Sequence, residues 1–421
     1  MDKNLYNEYL NILYAELVPA MGCTEPIAIA LTAAKAKLYL DEPVKSVIIN
    51  VSGNIIKNVK SVKVPNTGGL RGIEAAAAAG IVAGNPENEL ELLAGITEAE
   101  QAEIAKFIEN TEMTVTEADT KYVLDIGITL KSENHTVYAR TAENHTGLCL
   151  IEVDGEAVFK RKLEDNGEDA ENSPLSIEGI IDFADNADLD DVRELLDRQI
   201  IYNTEIAEEG LTGKYGAAIG RTLLMSYGNT VHNRAKAWAA AGSDARMSGC
   251  EMPVVINSGS GNQGLTTSLP VIVYAKELGV SMDLLYRALL VANLTTIHLK
   301  SGIGCLSAYC GAISAGCGAG AGVMYLHGGK FEEISHTVVN ALAINSGVVC
   351  DGAKASCAAK IASAVESGLL GMQMYMHGKE FYGGDGIVAR DVESTIRNVG
   401  QLAQSGMAET DKEIIRIMLK E

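Results

Sequence analysis

The chain has 421 residues, enough for two domains and a substantial core. It carries 34 basic and 55 acidic side chains, a net charge of −21, which argues against a nucleic-acid partner because no basic excess is available to replace phosphate counterions. With one Trp and five Phe against 43 Gly, packing must rest on small side chains and close backbone approach.

In chain order, Tyr6, Leu10, Leu13 and Leu17 sit at helical spacing and predict an N-terminal amphipathic helix. Residues Met1 to Tyr14 are charged and amphipathic, unlike a secretory leader, so a cytoplasmic protein is expected. Pro26 suits the first turn of a second helix capped by Thr24 or Glu25 and running to about Leu40. Strands are predicted over Val44–Val51 and Ile55–Val64, then a turn at Asn66-Thr-Gly-Gly69 and an Ala-rich helix from Gly72. Residues Glu87 to Asn110 read as helix, with Thr97 as a cap. From Met113 to Lys162 the period becomes two, predicting antiparallel strands with a hairpin turn at Val153–Glu156.

Thirteen acids between Glu164 and Asp197, with Asn166-Gly167 and Ser173-Pro174, mark a linker and the first helix of a second domain. Beyond it nearly everything has the pattern of helix broken by Gly-rich turns. The expected architecture is α+β: residues 1–165 form an N-terminal α/β portion with the antiparallel segment, and residues 166–421 a mostly helical catalytic domain. Ser301 to Leu326 has no charged side chain, yet seven Gly and three Ser make it too polar for a membrane span. A buried, tightly packed helix is expected there, and no membrane partner.

The cysteines carry the chemistry. Cys310/Cys317 and Cys350/Cys357 are both C-x6-C, forty residues apart, and Cys23 lies far upstream in GCTEP. In a cytoplasmic chain thiols are ligands, nucleophiles or core residues more often than disulfides. Cys23 and Cys350 are expected just before helices, and Cys310 within or before an Ala/Gly helix, where the helix dipole favours thiolate. Thiolates separated by long gaps suit an iron–sulfur cluster; zinc would also accept them, although no C-x2-C knuckle is present. Small buried cysteines packed among Ala and Gly are the alternative.

A second pattern, Ser258-Gly259-Ser260-Gly261-Asn262-Gln263-Gly264, follows the apolar stretch Val254–Ile256. It matches G-x-G-x-x-G, but the helices that follow are incompatible with a dinucleotide fold. Its backbone N–H groups and polar side chains can instead converge on a carboxylate, or it is an ordinary turn. Thr67 and Gly68 are a weaker version of the same idea. Titratable groups close to cysteines are Glu25, His298, Lys300 and Lys354; a lysine in apolar surroundings can act as a base.

MGCTEPIAIALTAAKAK, NSGSGNQGLTTSLPV, LSAYCGAISAG and VCDGAKASCAAKIA together resemble the iron–sulfur L-cysteine desulfidase family, which is related to the α-domain of the PLP-independent L-serine dehydratases. The likeness to the desulfidases covers nearly the whole chain, and that to the dehydratases the helical second half. It implies a [4Fe–4S] cluster on Cys23, Cys310 and Cys350 with one iron lacking a protein ligand, Cys357 being the rival ligand and Cys305 not counted. It implies β-elimination of a small amino acid without PLP: the open iron binds the β-sulfur, the Ser258–Gly264 loop holds the carboxylate, and Lys354 or Lys300 takes the α-proton. L-serine dehydration at the same cluster, a non-catalytic cluster sensor, and a cluster-free structural protein are the competing readings. Small-residue surfaces and the related enzymes point to a homodimer.

Overall fold

The computed structural model describes residues 1–163, 173–304 and 307–419. Cys305 and the acidic stretch 164–172 of the expected linker lie outside the described residues.

The expected α+β architecture is what forms. Strands β1 (Pro19–Met21), β2 (Ser46–Val51), β3 (Glu112–Glu117), β4 (Asp125–Lys131), β5 (Thr136–Ala142), β6 (Leu148–Val153), β7 (Glu156–Lys160) and β8 (Pro253–Val255) make two sheets. Six of them form one sheet in the order β3-β2-β4-β5-β6-β7. Its only parallel pair among the described strands is β2–β3, which the helices between residues 53 and 110 connect. β6 and β7 turn at Asp154-Gly155, both at positive φ, as the hairpin reading required. Alternation buries Val47, Ile49, Ile126, Ile128, Val137 and Ala139 under helix Thr24–Lys37, which is buried on nearly every side.

Two features differ from expectation. Ile55–Val64 is not a strand: helix Gly53–Val59 occupies its first half. Ser52 at its cap, with Ile55, Ile56 and Val59 at i, i+1 and i+4, satisfies a helical face once β2 has ended, and β-branching alone misled the reading. β1 and β8 were not foreseen as partners; they pair antiparallel, Ala20 opposite Val254, and tie the start of the chain to the helical half.

That half is built by backbone contact. A Cβ on Gly316 would fall 2.2 Å from the Ala364 carbonyl, and one on Gly320 2.6 Å from that of Gly368. Helices Gly311–Leu326 and Cys357–Met376 therefore run in the same direction in contact, and their N-termini lie at one end. Gly318 meets Ala292 and Thr296, whereas Gly322 meets Ala288, so helix Met282–Ser301 runs the opposite way. Its C-terminal Lys300 arrives at the same end. Helix Ala408–Leu419 crosses back onto helix Gly53–Val59, where Lys57 Nζ meets Asp411 Oδ1 at 2.5 Å and Lys60 Nζ reaches the Met418 carbonyl at 2.7 Å. Among the described residues, no helix is long and apolar enough to cross a membrane.

Candidate active site

The helix ends just described surround a cavity of about 100 Å³. Its wall contains Cys23, Cys310, Cys350 and Cys357. Cys23 caps helix Thr24–Lys37 and Cys310 caps helix Gly311–Leu326, as their positions in the sequence suggested. Cys350 does not stand at a helix start. The peptide from Val348 to Cys350 pairs with Ala308–Cys310, the chain then turns at Gly352, and the next helix begins at Cys357. The tight turn at Gly352, not a helix dipole, governs Cys350, and the helix-start position belongs to its rival.

Burial pushes the Cys310 thiol up to about 12, and Cys350 and Cys357 add to that push; Cys357 is raised by burial and then by Cys350. Those three are mutual neighbours. Cys23 is raised by burial and by Glu25, with Arg246 pulling the other way, and its Sγ–H donates to Glu25 Oε2 at 3.0 Å. Cys317 is fully buried in the helix core and outside the cavity wall. No three His, Cys, Asp or Glu side chains among the described residues are close enough to share a single metal ion.

The Gly-rich loop acquires a packing explanation. Ser258 and Gly259 form its turn at positive φ, and the Gly259 carbonyl accepts from Thr24 Oγ1 at 2.9 Å. A Cβ on Gly261 would lie 2.4 Å from Arg246 Nε, and one on Gly264 2.0 Å from the Val255 carbonyl. The glycines thus seat an arginine and press helix Gly261–Leu278 onto β8. Ser260, Asn262 and Gln263 line the cavity, while Ser258 and Gly259 shape the turn outside its wall.

Of the titratable candidates, Glu25 and Lys300 line the cavity. Burial works against the Glu25 charge, but His145, the Cys23 thiol and Arg246 outweigh it and hold the carboxyl below its usual range. Lys300 donates to the Gly304 carbonyl. Lys354 is outside the wall and paired with Asp351. His298 is bound to Glu393 at 2.7 Å, outside the wall. Thr67 and Gly68 are also outside it; the Thr67 hydroxyl donates to the Val64 carbonyl at 2.8 Å and closes its own turn.

Several participants escaped the sequence reading. Arg246 is 3 % exposed, lines the cavity, and its Nε has no hydrogen-bond partner among the described residues. Lys360 shares the wall and pairs with Asp351. Asn58 and Tyr309 also line it, with the Tyr309 hydroxyl buried and without a partner among the described residues. His145, 7 % exposed, lies against Gly259, and its Nε2 has no partner among the described residues. The only signal for it was the ENHT repeat at 133–136 and 143–146, and nothing in the sequence distinguished the buried copy from the exposed one.

Four cysteines, a buried guanidinium and several amide side chains thus meet around one small cavity, a donor set suited to a small anionic molecule. Residues 87–416 match the family model described as serine dehydratase alpha chain, and the chain belongs to that family. The match starts well ahead of the helical half, so the kinship is wider than the motifs suggested. The chain is also 57 % identical over 418 residues to the UPF0597 protein DSY1109 of Desulfitobacterium hafniense, covering 99 % of this chain and 97 % of that one. A UPF0597 protein of Lachnoclostridium phytofermentans is 49 % identical, with 99 % and 100 % covered, and one of Treponema denticola 44 %, with both chains covered in full.

Proposed function

We propose that this protein is an L-cysteine desulfidase, a carbon–sulfur lyase that converts L-cysteine and water to pyruvate, ammonia and hydrogen sulfide. The observation that carries the reading is the convergence on one cavity of four cysteines and Arg246, whose Nε has no partner among the described residues. The donor set fits a [4Fe–4S] cluster, since thiolates are its usual ligands and three suffice when one iron stays open. Cys310 and Cys350 would hold it. The third ligand is Cys23 or Cys357, and the mutual closeness of Cys310, Cys350 and Cys357 favours Cys357. When bound, the cluster supplies a Lewis acid for the β-sulfur.

The chain's own groups supply the rest. Arg246, over Gly261 and beside Asn262, would hold the α-carboxylate in a two-pronged guanidinium contact. Lys300 is the base we assign to the Cα proton, because it lines the cavity and Lys354 does not. Loss of that proton and cleavage of the Cβ–S bond give aminoacrylate and sulfide; the enamine takes up a proton and hydrolyses to pyruvate and ammonia.

The test uses protein purified without oxygen. Sulfide release from L-cysteine, exceeding pyruvate formation from L-serine, is expected. Faster turnover of serine would make it an L-serine dehydratase, and visible cluster absorbance with neither product would make it a sensor. Iron and acid-labile sulfide should fall to near zero in Cys310→Ala and Cys350→Ala. Retention in Cys23→Ala with loss in Cys357→Ala names Cys357 as third ligand, and the reverse names Cys23. A native protein free of iron and sulfide removes the assignment altogether.

A further inference from the structure

Two amide side chains in the cavity wall are held by their nitrogen ends. Asn58, 5 % exposed, donates from Nδ2 to Glu25 Oε1 at 3.0 Å. Since a carboxylate only accepts, this contact fixes which end of the amide is which. Asn58 Oδ1 is left buried with no hydrogen-bond partner among the described residues. Gln263, 6 % exposed, is fixed in the same sense: Nε2 donates to the Ser258 carbonyl at 3.4 Å, and Oε1 is buried without a partner. Gly311 is what lets the glutamine lie there, for a Cβ would come within 2.8 Å of its Cδ and Oε1.

The two acceptors come from separate parts of the chain, helix Gly53–Val59 and the first turn of helix Gly261–Leu278. Buried polar atoms are satisfied in folded proteins, by protein, water or ligand, so two idle acceptors on residues of one cavity wall offer a pair of positions for a ligand donor. A hydroxyl has one hydrogen to give and can serve one amide. An ammonium has three and a positive charge, and the Glu25 carboxylate at the other end of Asn58 favours that charge.

We propose that Asn58 and Gln263 accept hydrogen bonds from the α-ammonium of a zwitterionic amino acid, and so select amino acids over 2-hydroxy acids of the same shape. The inference rests on the reading of this cavity as the place where a small amino acid is held, with Arg246 on its carboxylate.

L-alanine and L-lactate are suitable probes, because they differ only at that group and neither has a β-leaving group. Calorimetry on the anaerobic full-length protein should show L-alanine binding at least about tenfold more tightly than L-lactate, the equivalent of one charge-assisted hydrogen bond. Asn58→Leu and Gln263→Leu should each weaken L-alanine about tenfold and leave L-lactate within about twofold, whereas Gln263→Glu should keep the preference for L-alanine. Equal binding of the two probes by the native protein, or equal weakening of both by each leucine variant, overturns the proposal. If a leucine variant fails to fold, the native comparison and Gln263→Glu decide. Sulfide and pyruvate are measured on the same samples. Native protein that prefers L-alanine but forms neither product keeps the amide assignment and removes the lyase; sulfide formation without preference does the reverse.

Discussion

Gly352 shows how closely single residues set this site. Its φ of +93° is one that side chains rarely adopt, and a Cβ would come 2.5 Å from the Lys57 carbonyl. The turn that presents Cys350 therefore leans on the peptide preceding Asn58. Gly352→Ala should cost about 2 kcal/mol or more in urea denaturation, from backbone conformation and clash together. Gly347→Ala, with nothing within 4 Å of its Cβ, should stay within about 0.5 kcal/mol of native. Thiols were the legible part of the site, because cysteine spacing survives in sequence as a pattern. Arg246, Asn58 and His145 were not, since a charged or amide residue amid ordinary text gives no sign of being buried. Burial of such groups is decided by which elements meet, and that is a tertiary fact.

Elements were legible where local chemistry agrees with the fold. Thr97 forms a full capping box with Glu100, and helix Glu98–Asn110 begins at that expected cap, whereas the helix expected from Glu87 is only a 3-10 turn over Pro86–Glu91. Helix Gly53–Val59 was missed because three β-branched residues outweighed a short cap signal. Between long helices, Glu366 of helix Cys357–Met376 binds His232 at 2.9 Å and Lys236 at 2.6 Å of helix Val231–Met247. The His232 contact, with Lys236 overcoming partial burial, pulls its carboxyl from the ordinary 4.5 to about 2. A depressed acid stabilises the fold fully above its unfolded value and ceases to do so as pH falls through its folded one. The melting-temperature gap between native protein and Glu366→Gln should be open at neutral pH and narrow progressively from about pH 5 to about pH 2. A gap independent of pH would mean the ion pairs contribute nothing.

On the scale of the molecule, the last helix braces the first half. Lys57 and Asp411 are 1 % and 14 % exposed, and Ile415 packs against Gly53. Removing one partner strands the other, so Asp411→Ala should destabilise by about 3 kcal/mol, and Lys57→Met with Asp411→Leu should recover most of that. Chemical denaturation of the native protein and the two variants checks it; equal stability of single and double variants would show that the pair is not coupled. The α+β class was readable from the change of period near residue 113, yet the brace was not, for it joins residues more than three hundred positions apart.

The two-stranded ladder of β1 and β8 has a practical corollary for anyone who divides the gene. Neither three-residue strand has another neighbour in its sheet, so a fragment carrying only the helical portion would offer Val254 and its flanking peptides as an open edge to any passing extended chain. Such fragments should precipitate alone and become tractable when produced together with the segment spanning Pro19–Met21.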